Sequence, residues 1–322
     1  MLCKAWGPPE SLILEDIPAY HAGPGKVVVS VKACGVNFPD TLIIQNKYQF
    51  KPPLPFAPGG EVSGIVKEVG DGVGNVKVGD SVIAFTGSGG FAEEVLADAA
   101  RVIPMPADMD FVTASAFVMT YGTSLHALRD RAKLQAGESL VVLGAAGGVG
   151  LAAVELGKLM GAKVIAAASN ADKLAICKQH GADELIDYSK EDLKERIRAL
   201  TDGKGADVIY DPVGGAYAEP AIRAMGWEGR YLIVGFAAGD IPKIPLNLML
   251  LKGSSLVGVF WGEFLRRDPK GSQRELFELL GWFREGKLKP HISATYPLAQ
   301  AARALNDVLQ RKVTGKVVVT MG

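Results

Sequence analysis

The sequence has little that would suit a secreted or nucleic-acid-binding protein. Its three cysteines, Cys3, Cys34 and Cys177, are widely spaced and form no CxxC pair. Neither a disulfide framework nor a cysteine zinc site is therefore indicated. Lysine plus arginine equals aspartate plus glutamate at 35 each, so no net charge attracts nucleic acid or an anionic membrane. We therefore expect small-molecule partners.

Long apolar runs and a targeting segment are also missing. The most apolar stretch, residues 140–154, is shorter than the roughly 20 residues that a membrane-spanning helix needs. The amino terminus has no basic segment followed by an apolar run, so we expect the mature chain to begin here. The odd number and wide spacing of the cysteines fit a reducing cytoplasm. A length of 322 residues with 48% hydrophobic content predicts a substantial core divided between two domains.

Two hydrophobic patterns follow one another along the chain. Up to about residue 110, short β-branched runs broken by glycine and proline predict an irregular, mostly antiparallel β domain. From Leu140 onward, apolar strands alternate with helical patterns, which predicts βαβ units and a doubly wound parallel sheet. Residues 254–261 would form its last strand. Two amphipathic helices, 273–284 and 298–311, and a closing strand are expected to return to the first domain.

The turn after the first strand of the second pattern carries a variant of the dinucleotide-binding fingerprint, with alanine in place of the first glycine. Gly147 would let the backbone approach a pyrophosphate, and Gly150 would allow the helix to pack closely on the strand. The alternative is a glycine turn used only for packing. We expect nucleotide phosphates at Ala145, Gly147, Gly148, Val149 and Gly150.

The second strand of this unit ends without the acidic residue that NAD enzymes usually offer to the adenosine ribose. Ser169 and Lys173 could instead meet a 2′-phosphate, with the lysine as a charged donor. The alternative is that Lys173 only solvates a helix face. The strand tip therefore predicts NADPH as the cofactor.

Seven short motifs follow one another along nearly the whole chain. They are 34–40 (CGVNFPD), 58–64 (PGGEVSG), 78–82 (VGDSV), 120–128 (TYGTSLHAL), 144–150 (GAAGGVG), 211–215 (DPVGG) and 315–319 (GKVVV). These motifs and their order resemble the medium-chain dehydrogenase/reductase superfamily, and within it the zinc-free quinone oxidoreductases similar to zeta-crystallin. The resemblance implies a GroES-like catalytic domain at 1–122 and a Rossmann NADP-binding domain at 123–260. It also implies a carboxyl-terminal segment, 261–322, that returns to the first domain, and a homodimer through residues 254–261.

The zinc ligands of the superfamily's alcohol dehydrogenases are missing. The three matching positions hold Asn37, Gly60 and Met119, none of which is a strong zinc ligand. The four cysteines of the superfamily's structural zinc lobe are absent too, so we expect no metal ligand. Without a Lewis acid, the substrate must carry its own electron sink, such as a quinone or an α,β-unsaturated carbonyl.

Asn37 and Tyr48 are the candidate catalytic residues. Asn37 can donate a hydrogen bond to a substrate oxygen or to the nicotinamide ribose, or it can cap the helix that starts near Phe38. Tyr48 aligns with a cleft tyrosine of related reductases and can orient substrate, donate a proton, or serve as scaffold. The superfamily's other frequent tyrosine is Leu42 here. The resemblance implies further cofactor contacts at Thr120, Thr123, Tyr188, Gly235, Phe236 and Lys316.

Our prediction is NADPH-dependent, zinc-independent reduction of quinones by hydride transfer. One alternative is an enone or enoyl-thioester reductase on the same scaffold, although no basic cluster for a CoA phosphate is evident in the first domain. The other is an NADPH-binding protein without enzymatic activity, with a regulatory or RNA-binding role. The zero net charge argues against nucleic acid.

Overall fold

The computed structural model describes residues 1–322, which form two compact units. One unit contains residues 1–119 and 290–322, and the other contains residues 120–289. The return to the first unit was expected from residue 261, whereas residues 261–289 belong to the second unit. The reason is packing between segments that are distant in the sequence: the Trp261 ring lies against Gly122, and Glu275 forms an ion pair with Arg129.

The first unit is built on a seven-stranded, mostly antiparallel sheet, as the short β-branched runs predicted. Only its last two strands pair in parallel. The strands are β1 (Lys26–Val36), β2 (Glu61–Val69), β3 (Ser81–Phe85), β4 (Glu94–Asp98), β5 (Val102–Pro104), β12 (Ile292–Pro297) and β13 (Lys316–Thr320). The helices are α1 (Phe38–Ile43), α2 (Phe111–Ala114) and α11 (Ala301–Leu309).

The central strand β1 fixes where polar residues of this unit meet. Its valines are buried in the core, and it pairs antiparallel with both β2 and β13. In this register Gly35 lies opposite Glu61, and Val36 lies opposite Val317. The carboxyl end of β1 therefore lies beside the amino ends of β2 and β13.

The second unit contains the predicted six-stranded parallel sheet, in the order β11-β10-β9-β6-β7-β8. This is the doubly wound Rossmann arrangement, in which the strand order reverses beside the first strand. That strand is apolar and wholly buried, as expected for a parallel strand covered on both faces. The strands are β6 (Ser139–Leu143), β7 (Lys163–Ala168), β8 (Glu184–Asp187), β9 (Ala206–Asp211), β10 (Met225–Ile233) and β11 (Ser255–Gly258).

Helices surround this parallel sheet, and α3 continues into a π-helical segment at His126–Arg131. No helix anywhere in the chain combines the length and apolar character that crossing a membrane requires. The helices are α3 (Val118–Leu125), α4 (Gly148–Leu159), α5 (Ala171–Gln179), α6 (Leu193–Leu200), α7 (Ala218–Arg223), α8 (Asn247–Leu250), α9 (Trp261–Arg267) and α10 (Pro269–Arg284).

Candidate active site and nucleotide site

Three polar side chains, Asn37, Glu61 and Lys316, meet where β1, β2 and β13 come together. The ammonium of Lys316 donates to the side-chain oxygen of Asn37 and, over 3.0 Å, to the carbonyl of Val36. It also lies 3.4 Å from Glu61 Oε2, and Asn37 Nδ2 donates to that same oxygen over 3.0 Å. All three residues are at most 7% exposed. We call this group the lysine cluster.

The lysine cluster compensates a buried negative charge. Glu61 has no exposed surface, and its second carboxylate oxygen accepts the backbone N–H of Met119 over 2.9 Å. An isolated carboxylate in this position would be very unfavourable, because burial removes its hydration. The nearby ammonium of Lys316 supplies the opposite charge. The cluster is therefore a fully hydrogen-bonded ion pair with an amide between its partners.

Asp40 and Tyr48 lie next to this cluster. The Asp40 carboxylate accepts the backbone N–H of Asn37 over 2.7 Å. Burial raises the pKa of Asp40 to about 7, against the opposing effects of that hydrogen bond and of Lys316. Burial, and then the charge of Asp40, raises the pKa of Tyr48 above its usual value. The Tyr48 phenol thus remains protonated at neutral pH and can act as a hydrogen-bond donor.

The position of Asn37 answers part of the question that the sequence left open. Its backbone precedes α1, as a capping residue does, but its side-chain oxygen accepts from Lys316. Its amide nitrogen donates to Glu61 and, over 3.4 Å, to the carbonyl of Gly35. A hydrogen bond from this amide to a substrate would have to replace one of these contacts.

Lys316 is the first residue of β13 and lies in the first unit, beside the end of β1. It is 6% exposed, and its ammonium is hydrogen-bonded within the lysine cluster. The cofactor contact that the resemblance implies for Lys316 stays a prediction.

A zinc ion does not fit the residues at the superfamily's ligand positions. At Gly60, an added Cβ would lie 2.8 Å from backbone atoms of Gly87, so no ligand side chain has room there. Asn37 is tied to Lys316, and the Met119 amide is tied to Glu61. Cys34 is fully buried in the core, and burial raises the pKa of its thiol well above the usual value. These side chains provide no thiolate, imidazole or free carboxylate for a metal.

The glycine turn has the geometry that its pattern predicted. Gly144 adopts a positive φ of 57°, and Gly147 precedes the first residue of α4. An added Cβ at Gly150 would lie 2.4 Å from the carbonyl oxygen of Gly144, so only glycine allows this close packing. The first amides of a helix have no acceptor within it and can bind phosphate oxygens. Among the predicted residues, Ala145 is buried, while Gly147, Gly148 and Val149 are partly exposed.

The residues predicted to contact the 2′-phosphate of NADPH lie at or just after the carboxyl ends of β7 and β8. Ser169 directly follows β7, and the backbone N–H of Tyr188, after β8, donates to the Ala168 carbonyl over 3.1 Å. The backbone N–H of Lys173, in the first turn of α5, donates to the Asn170 side chain over 2.9 Å. The strand ends therefore bring these three residues into one region of the second unit.

The residues expected on the nicotinamide side lie after the carboxyl end of β10 or on helix α3. Gly235 and Phe236 follow β10, and Phe236 contacts the loop after β9 at Gly214. Thr120, which is buried, and Thr123 lie on α3. That helix is fixed to the glycine turn because Ser124 donates to the Val149 carbonyl over 2.9 Å.

Two residues of the site were missed by sequence reasoning. Glu61 and Asp40 were quoted within motifs but given no role. A usable signal existed, because a charged residue at the start of an apolar strand, as in GGEVSG and GKVVVT, demands a buried partner. The sequence does not show which charged residues pair with each other, because 255 positions separate Glu61 from Lys316.

Each of the two units contains a region that matches a known protein family. Residues 23–107 match the family model described as an alcohol dehydrogenase GroES-like domain, and residues 148–281 match the one described as a zinc-binding dehydrogenase. A quinone oxidoreductase-like protein 2 homolog from Nematostella vectensis is 42% identical, over 99% of this chain and 88% of its own.

Solved structures share the whole architecture. The quinone oxidoreductase of Escherichia coli, complexed with NADPH, is 28% identical with a TM-score of 0.91, and 98% of each chain is covered. A structure described as CurK enoyl reductase is 25% identical with a TM-score of 0.88, covering 98% of this chain and 97% of its own. Since identity above 40% extends over nearly the entire chain, the relationship is not limited to the fold. The chain belongs to the quinone oxidoreductases of the medium-chain dehydrogenase/reductase superfamily.

Proposed function

We propose that this protein is an NADPH-dependent, zinc-independent reductase of quinones. The observation that carries the proposal is the lysine cluster. At the metal-binding end of the superfamily's site, this chain has an ammonium bonded to Asn37 and Glu61. Such a site cannot coordinate and polarise an isolated ketone as a zinc ion does. It suits an acceptor whose conjugation already takes up the electron pair.

The second unit supports NADPH as the partner in this reaction. The first amides of α4 would hold the pyrophosphate, and Ser169 with Lys173 would meet the 2′-phosphate. Bound NADPH would supply the hydride. Support also comes from the quinone oxidoreductase of E. coli, a relative whose structure was solved in complex with NADPH.

Residues of the first unit would orient the acceptor. Tyr48 would donate a hydrogen bond to an acceptor oxygen, because its raised pKa keeps the phenol protonated. Hydrogen bonds with Lys316 and Glu61 would keep the Asn37 side chain in a fixed orientation. Protonation of a reduced quinone can come from water, so no dedicated acid is required.

An activity screen tests the proposal. NADPH oxidation should be measured with quinones, simple enones and enoyl-CoA esters, each with and without a chelator. We expect the highest kcat/KM with a quinone and no change on chelation. Failure of every acceptor to oxidise NADPH above the enzyme-free rate would reject the enzymatic assignment. Inactivation by the chelator while circular dichroism shows that the chain remains folded would reject zinc independence.

An enone or enoyl-thioester reductase is the second candidate. It is favoured by the structural likeness to CurK enoyl reductase. In that case hydride would reach the carbon β to a carbonyl, and Tyr48 would hydrogen-bond to the carbonyl oxygen. A kcat/KM that is highest with the enoyl-CoA ester would select this candidate over the quinone reductase.

A homodimer through residues 254–261 is part of the proposal. Strand β11 lies at the edge of its sheet, and an apolar edge left open invites pairing. Large apolar side chains are exposed nearby, including Phe260 at 51% and Leu250 at 81%. Light scattering should give twice the chain mass, and Phe260→Glu with Leu250→Glu should give the monomer. Phe277→Glu, an exposed position on α10, is the control.

We place the protein in the cytoplasm. All three cysteines are unpaired and buried in the structure. Free thiols persist in a reducing compartment, whereas proteins of oxidising compartments usually pair them. Fractionation of cells that express a tagged chain tests this location.

A further inference from the structure

A second cluster of ionisable side chains lies within the nucleotide unit, away from the glycine turn in sequence. His126 and Asp130 lie on the π-helical segment, and Glu275 reaches them from α10. His126 Nδ1 and Asp130 Oδ2 are 2.7 Å apart. One potential ligand atom from each of the three residues lies within 4.8 Å of the other two. Single π-helical turns occur frequently at functional sites, because they redirect side chains.

One oxygen of the Glu275 carboxyl group receives no hydrogen bond from an N–H or hydroxyl group. The side chain is 8% exposed, and its Oε1 accepts from Arg129 over 2.8 Å. Its Oε2 is buried and has no such donor, and the Asp130 carboxyl group lies at hydrogen-bonding distance from Glu275. A buried carboxylate oxygen without a donor is unfavourable, and more so beside a second carboxylate, that of Asp130. A cation placed at this oxygen would remove the penalty.

Acidic side chains outnumber basic ones around the cavity beside this cluster. Its lining has two guanidinium groups and four carboxyl groups, those of Asp130, Asp268, Glu275 and Glu278. Arg129 contacts three of these carboxyl groups. A divalent cation would offset the excess of negative charge. Arg129 does not compete for Oε2 of Glu275, because it is bonded to Oε1. It instead orients Glu275, as hydrogen-bonding partners of metal ligands commonly do.

The imidazole of His126 is held in place. Its ring stacks on Phe264 at 4.2 Å between ring centroids, with 12° between the planes. The site is also accessible, because a cavity of about 530 Å³ is lined by all three candidate ligands together with Arg129, Phe264 and Arg274. An ion could therefore enter without unfolding of the helices.

We propose that His126, Asp130 and Glu275 bind one divalent transition-metal ion. One imidazole nitrogen and two carboxylate oxygens suit Mn²⁺ or Zn²⁺ and leave coordination positions for water from the cavity. The ion links the π-helical segment to α10 and therefore stabilises the second unit. It is separate from the zinc positions of the superfamily, and it takes no part in the proposed hydride transfer.

Titration of the metal-free full chain with Zn²⁺ or Mn²⁺ alone tests the proposal. Calorimetry should detect one ion per chain, and saturation should raise the melting temperature. Glu275→Gln keeps the size of the side chain but removes the ligand charge, and it should weaken binding at least about 10-fold. Glu278→Gln removes a carboxylate that is bonded to Arg129 but is not a proposed ligand, and it should change the affinity less than about 3-fold. Asp130→Asn provides a second ligand variant if Glu275→Gln does not fold.

Three results would overturn the proposal. The first is the absence of saturable binding by the wild-type chain up to metal concentrations on the order of 1 mM. The second is an equal loss of affinity in Glu275→Gln and Glu278→Gln, which would indicate diffuse attraction to an acidic surface. The third is wild-type affinity in both ligand variants, Glu275→Gln and Asp130→Asn. A negative outcome leaves the quinone reductase proposal intact, because that proposal is tested by NADPH oxidation.

Discussion

The ammonium of Lys316 donates a hydrogen bond to the side-chain oxygen of Asn37, although 279 positions separate the two residues. This hydrogen bond determines the orientation of the Asn37 side-chain amide, since its oxygen must face the ammonium and its nitrogen must face Glu61. The lysine therefore fixes the orientation of a candidate catalytic residue without needing to touch the substrate. We infer that Lys316 is a positioning residue.

Replacing Lys316 with methionine should destabilise the first unit strongly. Methionine keeps an unbranched side chain that is one heavy atom shorter, and it leaves the Glu61 carboxylate buried without its counter-charge. Breaking a buried ion pair in this way costs about 3–5 kcal/mol. Urea unfolding followed by circular dichroism measures the loss.

Two further variants separate charge from packing at this position. Lys312→Met, at an exposed position, should leave the stability unchanged. Adding Glu61→Gln to Lys316→Met should restore part of the stability, because no unpaired charge then remains. If Lys316→Met is as stable as the wild type, the ion pair does not support the fold.

Asp40 should make stability fall with rising pH. Its pKa is about 7 in the folded chain against 3.8 in the unfolded chain, so the folded state retains a proton between these values. The native state binds more protons there, and stability declines from about pH 4 to pH 7, by at most about 4 kcal/mol. Asp40→Asn should flatten this slope in urea unfolding measured at several pH values. Asp71→Asn, at an exposed position, should keep the slope.

The fold followed from local patterns in the sequence. Alternation of apolar strands with helices from Leu140 predicted the parallel sheet, and the turn at Gly147 and Gly150 predicted the strand-to-helix connection. These signals are local, because each strand, turn and helix is encoded by neighbouring residues. Residues 261–289 were harder to place, since their unit is decided by distant contacts such as that of Trp261 with Gly122.

The site was only partly predictable for the same physical reason. Nucleotide residues lie at strand ends, and parallel strands bring their carboxyl ends together, so their meeting could be expected. The partners of Lys316 and the cluster around Glu275 depend on which strands and helices become neighbours. No spacing within the sequence encodes the meeting of His126 with Glu275.

Lys173→Ala should raise the KM for NADPH and leave the KM for NADH nearly unchanged. The reason is that only NADPH carries the 2′-phosphate that this lysine is expected to meet. Loss of a charge-assisted hydrogen bond predicts an effect of about 10-fold or more. Steady-state kinetics with both cofactors measures it, with Lys178→Ala, on an exposed position of the same helix, as the control. An equal effect on both cofactors would show that Lys173 does not read the phosphate.

Tyr48→Phe should slow turnover without abolishing it, and more so with an enone than with a quinone. The substitution removes one hydrogen-bond donor and keeps the ring that packs against the core of the first unit. Loss of a single donor to a developing oxyanion costs at most about 2.7–4 kcal/mol. A reduced quinone needs less help, because water can protonate its oxygens. Kinetics should show altered kcat and acceptor KM, with an unchanged KM for NADPH.

Comparison with other variants decides whether Tyr48 acts through its phenol. Tyr20→Phe removes a hydroxyl elsewhere in the first unit and should have wild-type kinetics with every acceptor. Asn37→Ala should lower kcat as well, because it removes the amide that Lys316 and Glu61 orient. If Tyr48→Phe and Asn37→Ala are both folded and retain wild-type rates with quinones and enones, neither residue serves the reaction. The buried position of Asn37 and the partly buried position of Tyr48 would then be explained by packing and by hydrogen bonding within the first unit alone.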